Sequence, residues 1–384
     1  MTTTPLGALV VAGDAEITSA GDDFLSDCEM AALDLASLAH LTSVGDNFLR
    51  RCFVLTALDL TSLAHLISVG DGFLACCTKL TALDLSFVAS LTAVGDNFLR
   101  GCTGLTALDL TPLEHLTSLG HSFLKSSEAL TALDLSPLAR LTSVGDSFLW
   151  RCTGLTALNL TNGGNCWALT SVGDFFVFGC AGLVTLDMTP IANLTGVGSS
   201  FLSGCAGLTT LDLTPLAHVN KVSVAFLFSC TGLTALDLTP LAHVIIVGDA
   251  FLYSCTGLTA LDLTPLAYVT NVDDNFLRGC AGLTELNVTP FAHLTSVGHE
   301  FLGGCAGLRE LDLRPFVHLT GVGSWFLYGC AGLAMLDLTP LAHVTSVDDW
   351  FLAGCTGLRA LDLPPLEPRG HDLVVGRLRR CSNA

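Results

Sequence analysis

The chain has 384 residues, 51 % hydrophobic and 13 % charged, with a formal net charge of −19 and a pI near 4.7. So acidic a chain repels phosphate backbones, which excludes nucleic acid as a partner and favours basic proteins or cations. No run reaches the 18 or more consecutive apolar residues of a membrane-spanning helix, so membrane insertion is not expected.

In chain order, the first apolar stretch is Leu6–Val11. It is too short for the core of a secretory signal, and no Lys or Arg precedes it. A cytoplasmic location is therefore expected, with the cell surface the alternative if the chain is a piece of a longer one. Leu6, Leu9 and Val11 align with the L-x-x-L-x-L of later segments. They predict an uncapped edge strand through which copies could associate.

A long series begins at Phe24 and Phe48, continues through Phe73, Phe98, Phe123 and Phe148, resumes at Phe176 and runs to Phe351. The steps are about 25 residues, with one longer step between Phe148 and Phe176. A fixed period in that range enclosing L-x-x-L-x-L is the signature of a leucine-rich repeat. In the unit that opens at Phe98, the spacing of Phe98, Leu99, Cys102 and Leu105 predicts a short helix capped by Asp96. Gly104 predicts a left-handed helix exit. Ala107, Leu108, Asp109, Leu110 and Thr111 alternate with period two and predict a strand with the leucines inward. Leu113, Leu116 and Leu119 anchor an extended return. The fold class is α/β. The chain is expected to be a solenoid of about 14–15 such coils, with a parallel β-sheet on the concave face and short helices on the convex face. It should span residues 1–366, with an insertion at 162–168, followed by a basic tail or cap at 367–384.

The unit resembles the BspA-like (Treponema-type) leucine-rich repeat. Cys102-Thr-Gly-Leu105, Leu108-Asp-Leu110, Pro112, Leu119-Gly120 and Phe123 match that family's motif in order. The unit is about two residues longer between strand and glycine, and its proline sits one place later. The resemblance implies the fold; members of the family serve as adhesins and as assorted binding modules.

Four residue types recur at fixed registers and so form columns. Thirteen cysteines share one register and are expected to be buried, reduced thiols. Histidines such as His293, His318 and His343 share another and read as solvated turn residues, with no metal expected. An aspartate two places before each Phe reads as a helix cap. The fourth column is the Asp of L-D-L, represented by Asp109, Asp134, Asp187, Asp212, Asp237, Asp262, Asp312 and Asp337, with Asn159 and Asn287 in the same register. Asp is a poor strand former, so its recurrence on the outward face of the sheet points to an acidic stripe that binds a partner. Mutual repulsion in that stripe predicts raised carboxyl pKa values. Trp167, inside the insertion, is a candidate partner anchor.

No cluster of catalytic residue types stands apart from the repeats, and no phosphate loop or cofactor motif is present, so no enzymatic activity and no cofactor are expected. The sequence reads as a non-enzymatic interaction scaffold with a basic protein partner. A BspA-like surface adhesin or antigen is one alternative. The other is a structural solenoid that self-assembles through Leu6–Val11.

Overall fold

A computed structural model of the chain describes residues 7–8, 17–161, 167–345, 347 and 350–362. It contains two compact units, residues 1–194 and 195–384, each built from the same coil. In the first unit the L-D-L segments pair in parallel one repeat apart. Ala132, Leu133 and Asp134 lie opposite Ala157, Leu158 and Asn159. Leu133 and Leu135 are buried while Ala132 and Asp134 are exposed, as period-two alternation requires. In the second unit Met335–Asp337 pairs with Ala360–Asp362 in the same way.

The return path also forms parallel strands, where the sequence predicts only extended chain. In the first unit Ser118–Leu119 pairs with both Ala93–Val94 and Ser143–Val144. In the second, Lys221–Val222 pairs with Ile246–Val247. The coil therefore has a strand on each side of its apolar interior.

At the N-terminal edge, Gly7 and Ala8 pair with Leu33 and Asp34. The sequence alignment sets Leu9 opposite Leu33; the structure sets Gly7 there. Leu6 and Leu9–Val11 lie outside the described residues, as do the insertion residues 162–166 and the tail 367–384.

The interior is layered by residue type. Register phenylalanines stack with ring centroids 5.4–5.8 Å apart from Phe48 to Phe176 in the first unit. The spacing is 5.5–5.9 Å from Phe201 to Phe351 in the second. Beside them the cysteines are free, and most are fully buried. Most of these thiols donate to a leucine carbonyl in the preceding coil, as Cys102 does to Leu74 O at 3.2 Å. Burial raises the thiols of Cys102, Cys255 and Cys305 to about 12.

The predicted helix from Phe98 to Leu105 is not formed, and the described residues contain no α-helix. An α-helix with its side chains is roughly 10 Å across, whereas the Phe rings of neighbouring coils are less than 6 Å apart on this side. The segment instead turns through alternating left-handed residues, with φ of 59° at Asn97, 54° at Leu99 and 72° at Gly101. Its N–H groups reach neighbouring coils: Asn97 to His121 O, Leu99 to Phe73 O and Gly101 to Lys125 O. A left-handed conformation costs an L-residue about 1–2 kcal/mol. Burial of the Leu99 side chain, worth about 1.5–3 kcal/mol, offsets that cost. Among the described residues the helical turns are one-turn 3-10 segments such as Thr111–Leu113, which follow the L-D-L strand.

Gly104 is likewise not a left-handed exit. A Cβ there would sit 2.6 Å from Thr78 O of the preceding coil, so glycine is required by close approach of backbones.

Candidate interaction surface

The L-D-L aspartates from Asp34 to Asp337 are exposed on the sheet face, and each closes a turn onto the 3-10 segment that follows. Asp212 Oδ1 accepts the backbone N–H of Thr214 at 2.8 Å and its hydroxyl at 2.6 Å. Asp237 does the same with Thr239, and Asp187 with Thr189. Asp109, Asp262 and Asp337 accept the corresponding N–H at 2.8–2.9 Å. Asp134 accepts from Ser136, and also from the Asn159 side-chain amide. Asp312 accepts from Arg314, whose guanidinium then pairs with both carboxylate oxygens. Asn159 and Asn287 serve the same turn through their own Oδ1. The recurrence of Asp is thus accounted for locally: a short side-chain acceptor two residues before the N–H it caps.

These contacts overturn the expected direction of titration. The threonine hydroxyl, then the backbone N–H, holds Asp109, Asp212, Asp237, Asp262 and Asp337 below the ordinary carboxyl value. The Arg314 guanidinium does so for Asp312. Repulsion from Asp237 pushes Asp212 and Asp262 the other way but is the weaker influence. Oδ1 is committed to the turn, while Oδ2 of Asp212, Asp237, Asp262 and Asp337 makes no hydrogen bond among the described residues.

In the second unit this face forms a groove of about 1290 Å³. Asp212, Asp237, Asp262, Asp312 and Asp337 line it above a floor of Leu211, Leu236 and Leu261. Asp362, Glu285 and Glu310 join them, and no Lys or Arg contributes to the lining. In the first unit Asp109 lines a smaller cleft of about 740 Å³ with Asp84 and a row of alanines. Asp134 and Asp187 keep the register but line neither. Glu285 and Glu310 were not singled out from sequence. Their signal was there: they replace the alanine that precedes Leu in most copies, in T-E-L-N and R-E-L-D.

Trp167 is not presented to a partner. It is 2 % exposed, and its indole N–H donates to Leu160 O at 2.9 Å. A large apolar ring fills the interior of this longer coil.

The column two places before each Phe is a ladder rather than a helix cap. Asp71 Oδ1 accepts the N–H of Asp96, whose own Oδ1 accepts the N–H of His121. His121 Nδ1 then accepts from Asp146. In the second unit His299 Nδ1 accepts from Ser324. In the other histidine column, His293 Nε2 lies 2.7 Å from Val269 O. Among the described residues no three His, Cys, Asp or Glu side chains are grouped to hold a metal. No helix among them is long and apolar enough to cross a membrane.

A family model described as the BspA type leucine-rich repeat region matches residues 18–156, 68–209, 142–284 and 270–367. The chain belongs to the BspA-type leucine-rich-repeat family. Among solved structures, this BspA-type protein is similar to a leucine-rich cell surface protein from Faecalibacterium prausnitzii. The identity is 16 %, over 87 % of this chain and 86 % of that one, with a TM-score of 0.53. At that identity the likeness concerns the fold. A leucine-rich-repeat protein from Bacteroides ovatus aligns at 18 % identity over 85 % and 77 % of the two chains, with a TM-score of 0.49. The comparison with curated protein sequences gave no match.

Proposed function

We propose that this BspA-type protein is a non-enzymatic binding module whose acidic sheet face, centred on Asp212, Asp237, Asp262, Asp312 and Asp337, takes a basic protein partner. One observation carries the reading. Within the second unit a groove of about 1290 Å³ is lined by carboxylates and by no Lys or Arg, with Arg314 paired to one of those carboxylates, Asp312. The turn hydrogen bonds hold the Asp212, Asp237, Asp262 and Asp337 carboxyls below the ordinary value and fix their direction. Preorganised charge of one sign steers and selects a partner of the other. Capping explains Asp at each position but not Glu285 and Glu310, which cap nothing and deepen the same field. A location at the cell surface fits this reading, as the name of the Faecalibacterium protein suggests; a binding face there would act as an adhesin.

The test separates charge from capping. Asn fills the capping role naturally at positions 159 and 287, so the D212N/D237N/D262N triple variant should keep its fold. Fluorescence anisotropy with a labelled oligolysine peptide should show binding to wild type, weakened about tenfold or more in the variant and lost at high salt. Equal affinity of the two proteins would remove the acidic face as the recognition surface.

A further inference from the structure

The first unit carries a feature that the acidic reading leaves unused. Five of the seven Lys and Arg between residues 17 and 161 fall in two adjacent registers of the turn edge: Arg50, Arg51, Arg100, Lys125 and Arg151. Four of them make no ion pair; Arg51 alone meets a carboxylate, Asp27, at 3.6 Å. Arg50 and Arg100 are held instead by the neutral side chains of Asn47 and Asn97. The Lys125 ammonium lies 4.3 Å from the Trp150 ring centre, and the Arg151 guanidinium lies 5.0 Å from it. Both faces of that ring are engaged, since Phe178 stacks on it at 5.9 Å. The edge therefore offers charge rather than an open aromatic surface. In the second unit the same two registers hold one cation, Arg278, and it is paired with Glu300.

We infer that this cationic edge is the seat for the acidic sheet face of a second copy of the chain. The inference rests on the reading of that face as a binding surface and names its partner. The charges are complementary, and so is their spacing, because both rows are printed by the same coil. Register side chains on the turn edge repeat with the Phe stack, at 5.5–5.8 Å between Phe73 and Phe148. Carboxylates on the sheet face repeat at about 4.8 Å, the strand separation. The two differ by about 1 Å or less per coil, within the reach of Arg and Lys side chains. Arg100, Lys125 and Arg151 can thus meet three successive aspartates. With a net charge of −19 two copies repel at long range, so the contact must act within a Debye length, about 8 Å at 0.15 M salt. Because the two surfaces differ, the contact is head to tail and leaves a free surface at each end.

Sedimentation of the full chain tests this with two neutralised variants. R100Q/K125Q lacks the edge, and D237N/D262N lacks the face while keeping the turn caps. Wild type should show a mass above 40.1 kDa that grows with concentration at 0.15 M salt and returns to monomer at 1 M. Each variant alone should stay monomeric at 0.15 M. Their equimolar mixture should form a one-to-one dimer and nothing larger, since one supplies an intact face and the other an intact edge. A monomeric wild type, self-association of R100Q/K125Q equal to wild type, or a mixture that stays monomeric would overturn the inference. If such a result came with oligolysine still bound through the aspartates, the acidic face would stand and only its assigned partner would fall. If oligolysine also failed to bind, both would fall.

Discussion

An aspartate that is unfavourable in a strand recurs down this chain because its Oδ1 accepts the N–H that opens the following turn. Oδ1 closes the turn and Oδ2 faces outward, so a substitution can remove one role without the other. D212A should lower the melting temperature, because the Thr214 N–H loses its acceptor, whereas D212N should change it little; thermal denaturation at pH 7 compares them. The pH dependence has a definite sign. A carboxyl whose folded value lies below its unfolded value, 3.8 for these groups, contributes stability above the unfolded value. That contribution is lost as pH falls through the folded value. Melting temperature should therefore fall as pH drops from 5 towards 2, and the fall should be smaller in D212N/D237N/D262N. A rise in stability on acidification would mean that repulsion between neighbouring carboxylates outweighs their hydrogen bonds.

At the scale of the element, the strands were legible and the helix was not. Period-two alternation at Ala107–Thr111 admits one reading, with Leu108 and Leu110 inward. The spacing of Phe98, Leu99, Cys102 and Leu105 fits a helix or a tight irregular turn equally well. What decides between them is the distance to the next coil, which no single repeat contains. The same blindness affected Gly104, whose reason is a carbonyl in the preceding coil. It also affected the Asp71–Asp96–His121 ladder, read as caps because each rung was viewed alone. Two substitutions test the turn geometry. Ser254 has φ of 56° in a register where Gly279, Gly304, Gly329 and Gly354 stand, so Ser254→Gly should raise stability by about 1 kcal/mol. Gly257→Ala would place a methyl 2.5 Å from Thr231 O and should lower it. Denaturant titration reads both; a destabilising Ser254→Gly would show that the turn is not left-handed there.

Across the molecule, the acidic balance that composition announces is unevenly placed. Glu285 and Glu310 add to the aspartates on the sheet face of the second unit, and unpaired cations gather on the turn edge of the first. The eight site aspartates were legible as a column, but their grouping was not. Asp212, Asp237, Asp262, Asp312 and Asp337 share a groove because successive coils bring them together, while Asp134 and Asp187 have the same sequence signature and line neither that groove nor the smaller cleft. Trp167 was misread for a related reason: a tryptophan in an insertion looks exposed until the coil it fills is seen. We propose that a basic partner docks on the sheet face of the second unit. Hydrogen exchange of the full chain, with and without saturating oligolysine peptide, tests it most directly. Slowed exchange should be concentrated in the segments at 210–214, 235–239, 260–264 and 335–339, with the Phe-to-Cys turns unchanged. Protection confined to those turns, or no protection while the peptide is bound, would contradict it.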